Sequence, residues 1–273
     1  MPEFLKTPNS IGMNHPRRKW LLCFDFDGTF IDPENSREIH PDLKTALNLA
    51  REKDAAIVIN TGRSLIDATE GIYKCGMKIL PDYIIALERE IYQPNRFKRW
   101  IDLGKWNPRC RKDHIKLLKK QRKFIETIRI HVEQETKARW VASQDEPAAI
   151  IASSEQEMDL ICAHLDLQIT QRKPKYLAYE RNSIYLRFSH SEYNKGTAAI
   201  ALRKMLGIPK EKTFVIGDNY NDLKMLNQEV AGMIACPENS VARVKETVAA
   251  IGGYVASNKY GAGTAEALNH FLK

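Results

Sequence analysis

The chain has 273 residues, 43% of them apolar, with a formal net charge of +8. That length can bury a large core in one domain or two. No apolar run is long enough to cross a bilayer, and the opening MPEFLKTPNSIGMNHPRRKW lacks the apolar stretch of a secretory signal. Cys23, Cys75, Cys110, Cys162 and Cys236 are scattered and never form a C-x-x-C pair, which argues against a disulfide framework and a zinc site and points to a reducing, cytoplasmic setting.

Residues 1–19 read as a loose lead-in. Then a strand, WLLCFDF, precedes a helical pattern in DLKTALNLAREK, a strand AAIVIN, a helix from Ser64 and a strand DYIIAL. From residue 190 the alternation resumes with a helix in TAAIALRKMLGI, a strand TFVIGD, a helix at DLKML, a strand AGMIAC, a helix in SVARVKETV, the run GYVAS and a last helix. Strands alternating with helices predict an α/β fold with a doubly wound parallel sheet, split in sequence into 20–87 and 190–273. The intervening 88–189 reads as an inserted α+β domain. A helix at 109–127 is followed by strand-like IRIHVE and ARWVAS, and a helix at 155–165 by YLAYE and IYLRF, the last two joined by a turn at Arg181-Asn182. Residues 83–190 hold 21 of the 42 Lys and Arg but only 14 of the 34 Asp and Glu, densest in RCRKDHIKLLKKQRK.

Ligands of parallel α/β sheets gather beyond the carboxyl ends of the strands. The first strand delivers Asp25 and Asp27 there, the second Thr61-Gly62-Arg63, and TFVIGD delivers Asp218 followed by Asn219, Asn221 and Asp222. Alternation in a strand would put Asp25 and Asp27 on one side, where like charges repel. Hard carboxylate oxygens in such a cluster suit Mg²⁺, which binds a few carboxylates, waters and a substrate phosphate. Lys195 falls in a first helical turn, where the helix dipole disfavours a cation. Each feature has an ordinary reading: Asp27-Gly28 as a hairpin turn, Thr61-Gly62 as a loop, Lys195 as a surface charge, Asp218 or Asn219 as a helix cap. Their joint placement at strand ends and a helix start favours a site.

DFDGTF, the Thr of INTGRS, Lys195 and GDNYND resemble motifs I to IV of the haloacid dehalogenase superfamily. The insert is placed like the C2 cap of its Cof-type and sucrose-phosphatase-like group, whose caps carry an αββ repeat, and SNKYGAGTAEAL resembles that group's closing segment. The resemblance implies a phosphatase in which Asp25 is the nucleophile and Asp27 the acid and then base. It implies Mg²⁺ held by Asp25, the Asp27 carbonyl and Asp218, with Asp222 as a further ligand or orienter. Thr61, Gly62, Arg63 and the amides from Gly28 onward would meet phosphoryl oxygens, Lys195 would bridge Asp25 and the phosphate, and Asn221 would touch it.

One junction departs from that group. Its members commonly follow the third strand with Asn-Gly or Gly-Thr, whereas DYIIAL here runs into Glu88-Arg89-Glu90. Arg89 is thereby a candidate reader of the leaving group, or else part of a rim salt bridge of little energy. The expected substrate is a small phosphate ester, most simply a sugar phosphate. A phosphotransferase or mutase would use the same motifs, and the basic helix leaves open a polyanion-binding protein, although no nucleic-acid recognition motif or aromatic interleaving accompanies it. No membrane partner is expected, and the sequence does not specify an oligomeric state.

Overall fold

The computed structural model describes residues 18–34, 38–142 and 148–272, so residues 1–17 of the expected lead-in lie outside it. Arg18 and Lys19 are tied down. Arg18 donates to Asp82 at 2.7 Å, and the Lys19 amide donates to the Asp54 carbonyl at 2.9 Å.

The first half of the large sheet comprises β1 (Trp20–Phe24), β2 (Ala55–Asn60) and β3 (Tyr83–Ala86), linked by α1 (Pro41–Glu52) and α2 (Leu65–Lys74). The chain then turns back through β4 (Glu90–Pro94) and β5 (Trp100–Asp102), which pair antiparallel at the sheet edge. The sequence reading gave these residues to the insert; strands of five and three residues, the first ending in Pro94, are too short to show a clear alternation.

The insert proper comprises α3 (Trp106–Lys120), α4 (Arg122–Glu135), β6 (Arg139–Val141), β7 (Ala149–Ile151), α5 (Glu155–Arg172), β8 (Leu177–Asn182) and β9 (Tyr185–His190). The second half of the core adds α6 (Lys195–Leu206), β10 (Thr213–Ile216), a 3-10 turn at Tyr220–Lys224, β11 (Met233–Cys236), α7 (Ala242–Ala250), β12 (Tyr254–Val255) and α8 (Tyr260–Phe271). The large sheet runs β12-β11-β10-β1-β2-β3-β4-β5 and the smaller one β6-β7-β9-β8.

Successive residues of β1 and β2 feed opposite faces of the sheet. Leu22, Phe24, Ile57 and Ile59 belong to one apolar cluster, Leu21, Cys23, Ala56 and Val58 to the other, and all are buried. A parallel sheet covered on both faces needs continuous apolar strands of this kind. The insert has its own core, in which Phe124, Ile128, Val132, Met158, Ile161 and Leu165 pack on Ile150, Leu186 and Phe188.

Three further expectations change. IRIHVE is the second half of α4, not a strand: its β-branched residues fit a pleat, but Phe124, Ile128 and Val132 recur at a helical interval and are buried. The strand pairs of the insert are therefore β6 with β7 and β8 with β9. The β8–β9 turn lies after Asn182, since both Arg181 and Asn182 pair across the hairpin. The helix expected at DLKML is a single 3-10 turn.

Candidate active site

The site lies where the strand order reverses. β1 has β10 on one side and β2 on the other, so the chain leaves its carboxyl end in both directions and opens a crevice there. Asp25 follows β1 directly, anchored by its amide, which donates to the Ile216 carbonyl at 3.0 Å. The chain then doubles back in a tight loop, the Gly28 amide donating to the Ile31 carbonyl at 3.1 Å. Gly28 has φ +82°, and a Cβ there would stand 2.5 Å from Asp218 Oδ2, so position 28 tolerates only glycine on both counts.

Asp218 comes off β10 and accepts a hydrogen bond from Thr29 Oγ1 at 2.8 Å. Asn219 caps the 3-10 turn as the ordinary reading of that residue expects, and Asp222 completes the cap. Asp222 Oδ2 accepts from the amides of Asp218 and Asn219 at 2.9 and 3.0 Å. Its other oxygen is left to face Lys195.

Lys195 is no surface charge: it is 0% exposed. Asn194 caps α6, so the helix opens with the Lys195 side chain turned into the sheet edge. Its Nζ donates to Asp25 Oδ1 at 2.5 Å and to Asp222 Oδ1 at 2.6 Å. Burial works against the ammonium, but Asp222 and Asp25 outweigh it and hold Lys195 above the ordinary lysine range.

Asp25, Asp218 and Asp222 each bring an oxygen into one group spanning no more than 4.8 Å. Burial and then Asp222 raise the Asp25 carboxyl well above its usual value, against the pull of Lys195. Burial and Asp222 likewise push Asp218 up to about 7. An all-oxygen donor set crowded enough to hold protons fits a hard divalent cation. The Asp27 carboxylate stands apart from the group, because Arg63 forks onto it with Nε at 2.7 Å and Nη2 at 2.5 Å. Arg63, expected at the phosphate, is thus engaged with Asp27. The strand ends before Asp25, so the alternation that would aim the two Asp side chains together does not extend to Asp27.

Thr61 follows β2 and is buried; its Oγ1 accepts from the Arg63 amide at 3.2 Å. Gly62 faces the insert, and Asn221 Nδ2 donates to Glu88 Oε1 at 2.7 Å. A cavity of about 330 Å³ joins these groups, with Asp25, Asp27, Thr61 and Gly62 on the core side and Glu180 and Arg187 on the insert side.

Sequence reasoning marked the Glu88-Arg89-Glu90 junction but took Arg89 as its reader, and it missed Glu180 and Arg187 altogether. Glu88 lines the cavity and Arg89 does not. Arg89 is buried beside it, its Nη1 donating to the Leu87 carbonyl at 3.1 Å. The signal available for the other two was alternation: Glu180 and Asn182 share one face of β8, and directly opposite them Arg187 and Tyr185 share that face of β9.

Buried carboxylates at the switch point, a lysine between them and an inserted domain overhead make this a haloacid dehalogenase-type hydrolase of phosphoric monoesters, and known proteins agree. Residues 18–272 match the family model described as sucrose-6F-phosphate phosphohydrolase, and the chain belongs to that family. Among curated proteins it is similar to the 5-amino-6-(5-phospho-D-ribitylamino)uracil phosphatase YcsE of Bacillus subtilis (strain 168), 23% identical over 92% of this chain and 95% of the other. Among solved structures it resembles the sucrose-phosphatase of Synechocystis sp. PCC6803 in complex with sucrose and phosphate, with TM-score 0.70, 19% identity and coverage of 93% and 98%. It also resembles the phosphatase BT1666 of the haloalkanoate (HAD) superfamily from Bacteroides thetaiotaomicron, with TM-score 0.63, 16% identity and coverage of 96% and 98%. No described helix is long and apolar enough to cross a membrane.

Proposed function

We propose that the chain is a Mg²⁺-dependent phosphatase that hydrolyses a small sugar phosphate through an aspartyl-phosphate on Asp25. The observation that carries this reading is the contact of one buried ammonium, Lys195, with Asp25 and Asp222 beside the cavity that Asp25 lines. The sucrose-phosphatase likeness supports a sugar as the leaving portion.

In this reading an Asp25 oxygen bonds to phosphorus as the phosphorus–alcohol oxygen bond breaks, and Asp27 gives its proton to the departing oxygen. Water then attacks the acyl phosphate, Asp27 takes its proton, and phosphate leaves with Asp25 restored. Lys195 and the Thr61 and Gly62 loop hold phosphoryl oxygens. Mg²⁺, held by Asp25, Asp218 and the Asp27 carbonyl with Asp222 fixing the loop, would neutralise phosphoryl charge. Residues 104–189 act as the cap that chooses the alcohol.

The test is a panel of phosphorylated metabolites assayed with Mg²⁺ and with chelator. Sugar monophosphates should lead the ranking, and full activity in excess chelator would remove the metal from the account. Binding has its own readout. Asp218 must lose a proton from a group raised to about 7, so the cation competes with protons at pH 6 and scarcely at pH 8. The gain in Tm from Mg²⁺ over chelator should therefore be larger at pH 8, where saturation at 100 times Kd is worth about 2.7 kcal/mol. An equal gain at both pH values would place the cation elsewhere.

Asp27→Asn separates the acid from the nucleophile. An aryl leaving group needs little proton donation, so the variant should lose on the order of 10²-fold more activity on a sugar phosphate than on an aryl phosphate. Equal losses on both would argue against the acid role of Asp27.

A further inference from the structure

Glu88 holds an unusual backbone position. Its φ is +62°, and Leu87 before it has φ +50°, in a region that side chains other than glycine avoid. A strained residue persists when its surroundings over-determine it, and such residues gather at functional sites. Here the surroundings are three separate segments. The Glu88 amide donates to the Thr61 carbonyl at 2.9 Å, and Oε1 accepts from Asn221. Oε2 makes a 2.9 Å ion pair with Arg187 Nη2 on the cap strand β9. Arg187 Nη1 in turn donates to the Gly62 carbonyl at 3.2 Å. Both side chains of the pair are buried, at 5% and 4% exposure. The bridge crosses from core to cap directly over the loop assigned to phosphate.

Charge in the cavity is lopsided. Of the residues lining it, Arg63 and Arg187 are cationic, and each already faces a carboxylate, Asp27 and Glu88 respectively. Asp67 and Glu180 add further acid groups to the wall. Burial and the neighbouring Glu88 push the Glu180 carboxyl up to about 8, so it keeps its proton at neutral pH and can both donate to and accept from a hydroxyl.

We infer that the Glu88–Arg187 bridge is a specificity element: by occupying the cap's cavity-facing cation it admits an uncharged, hydroxylated leaving alcohol and rejects one that carries a second negative charge. This rests on the phosphatase reading above and deepens it from small sugar phosphates in general to those whose leaving alcohol carries no charge, so that the substrate has a single phosphate. A second phosphate or a carboxylate would meet the Asp27 and Asp67 carboxylates and a guanidinium already engaged, so its desolvation would be poorly compensated.

The test compares kcat/KM for a hexose monophosphate, a hexose bisphosphate and an aryl phosphate in the full chain with Mg²⁺, for wild type, Glu88→Gln, Arg187→Gln and the double variant. Wild type should prefer the monophosphate to the bisphosphate by about tenfold or more. Glu88→Gln removes the Glu88 negative charge that faces Arg187, so the bisphosphate should gain about tenfold relative to the monophosphate. Arg187→Gln strips the cation and should move the ratio the opposite way, and the double variant should return near the wild-type ratio. A ratio unchanged across all four proteins, or a wild type that prefers the bisphosphate, overturns the inference while leaving the phosphatase reading intact. Loss of hydrolysis of every monoester by wild type, the aryl phosphate included, overturns that reading as well. Should a variant not fold, inhibition of wild-type aryl phosphate hydrolysis decides the matter: the monophosphate should compete about tenfold more strongly than the bisphosphate, and the reverse order refutes the inference.

Discussion

Asp25→Asn should lower kcat/KM by roughly 10⁴-fold or more while leaving the Tm within about 4 °C of wild type. Asn cannot form the acyl phosphate, so the covalent route closes altogether. Stability should survive for a local reason. Asp25 is crowded by Asp222 and Asp218 and buried at 6% exposure, and its carboxyl is already raised well above its usual value. A neutral side chain of the same shape removes that repulsion, and Lys195 keeps its 2.6 Å contact with Asp222. Steady-state kinetics and a thermal melt on the same preparation check both halves. Turnover near wild type would remove Asp25 as nucleophile, and a large fall in Tm would show that the lost activity reflects lost structure.

The legible part of the site is the part built from short-range geometry. Asp25, Thr61 and Asp218 each follow a buried apolar strand within a residue or two, and Lys195 begins a helix behind an Asn cap. Strand ends and helix starts can be read from a single chain, and the parallel sheet converges them. Lys195 was also marked by being wrong for its place, a cation in a first turn, and the burial of its Nζ between two carboxylates is the compensation. What escaped was long-range. The junction at Glu88-Arg89-Glu90 stood out as charged, but a left-handed backbone at Leu87 and Glu88 decides which side chain faces the cavity, and it turns Glu88 inward. The partners Glu180 and Arg187 alternate correctly on their hairpin, yet which face of that hairpin meets the core depends on how the cap docks. In α4, β-branched residues concealed a helical interval, so local propensity and periodicity pointed different ways and burial followed periodicity.

Lys195→Met should behave unlike Asp25→Asn, because it removes the charge on which two buried carboxylates depend. Taking one partner out of a buried ion pair costs about 3–5 kcal/mol, which lowers Tm by roughly 10 °C in a chain of this size. Activity should fall as well, on the order of 10²- to 10³-fold, through loss of a donor aimed at developing phosphoryl charge. The stability defect should depend on pH with a definite sign. Without the ammonium, burial and Asp222 act on Asp25 unopposed, so its folded-state pKa rises further above the unfolded value. The folded variant then binds more protons than the unfolded chain, and its stability increases as pH falls. The Tm gap to wild type should narrow between pH 8 and pH 6. Combining Lys195→Met with Asp25→Asn supplies the decisive comparison. If the lysine matters to the fold by neutralising Asp25 and Asp222, deleting the Asp25 charge should recover part of what the lysine substitution loses, with a coupling of about 1–3 kcal/mol in a double-mutant cycle. Additive losses would mean that Lys195 stabilises the fold by packing alone, and that its position between the carboxylates serves the phosphate rather than the protein.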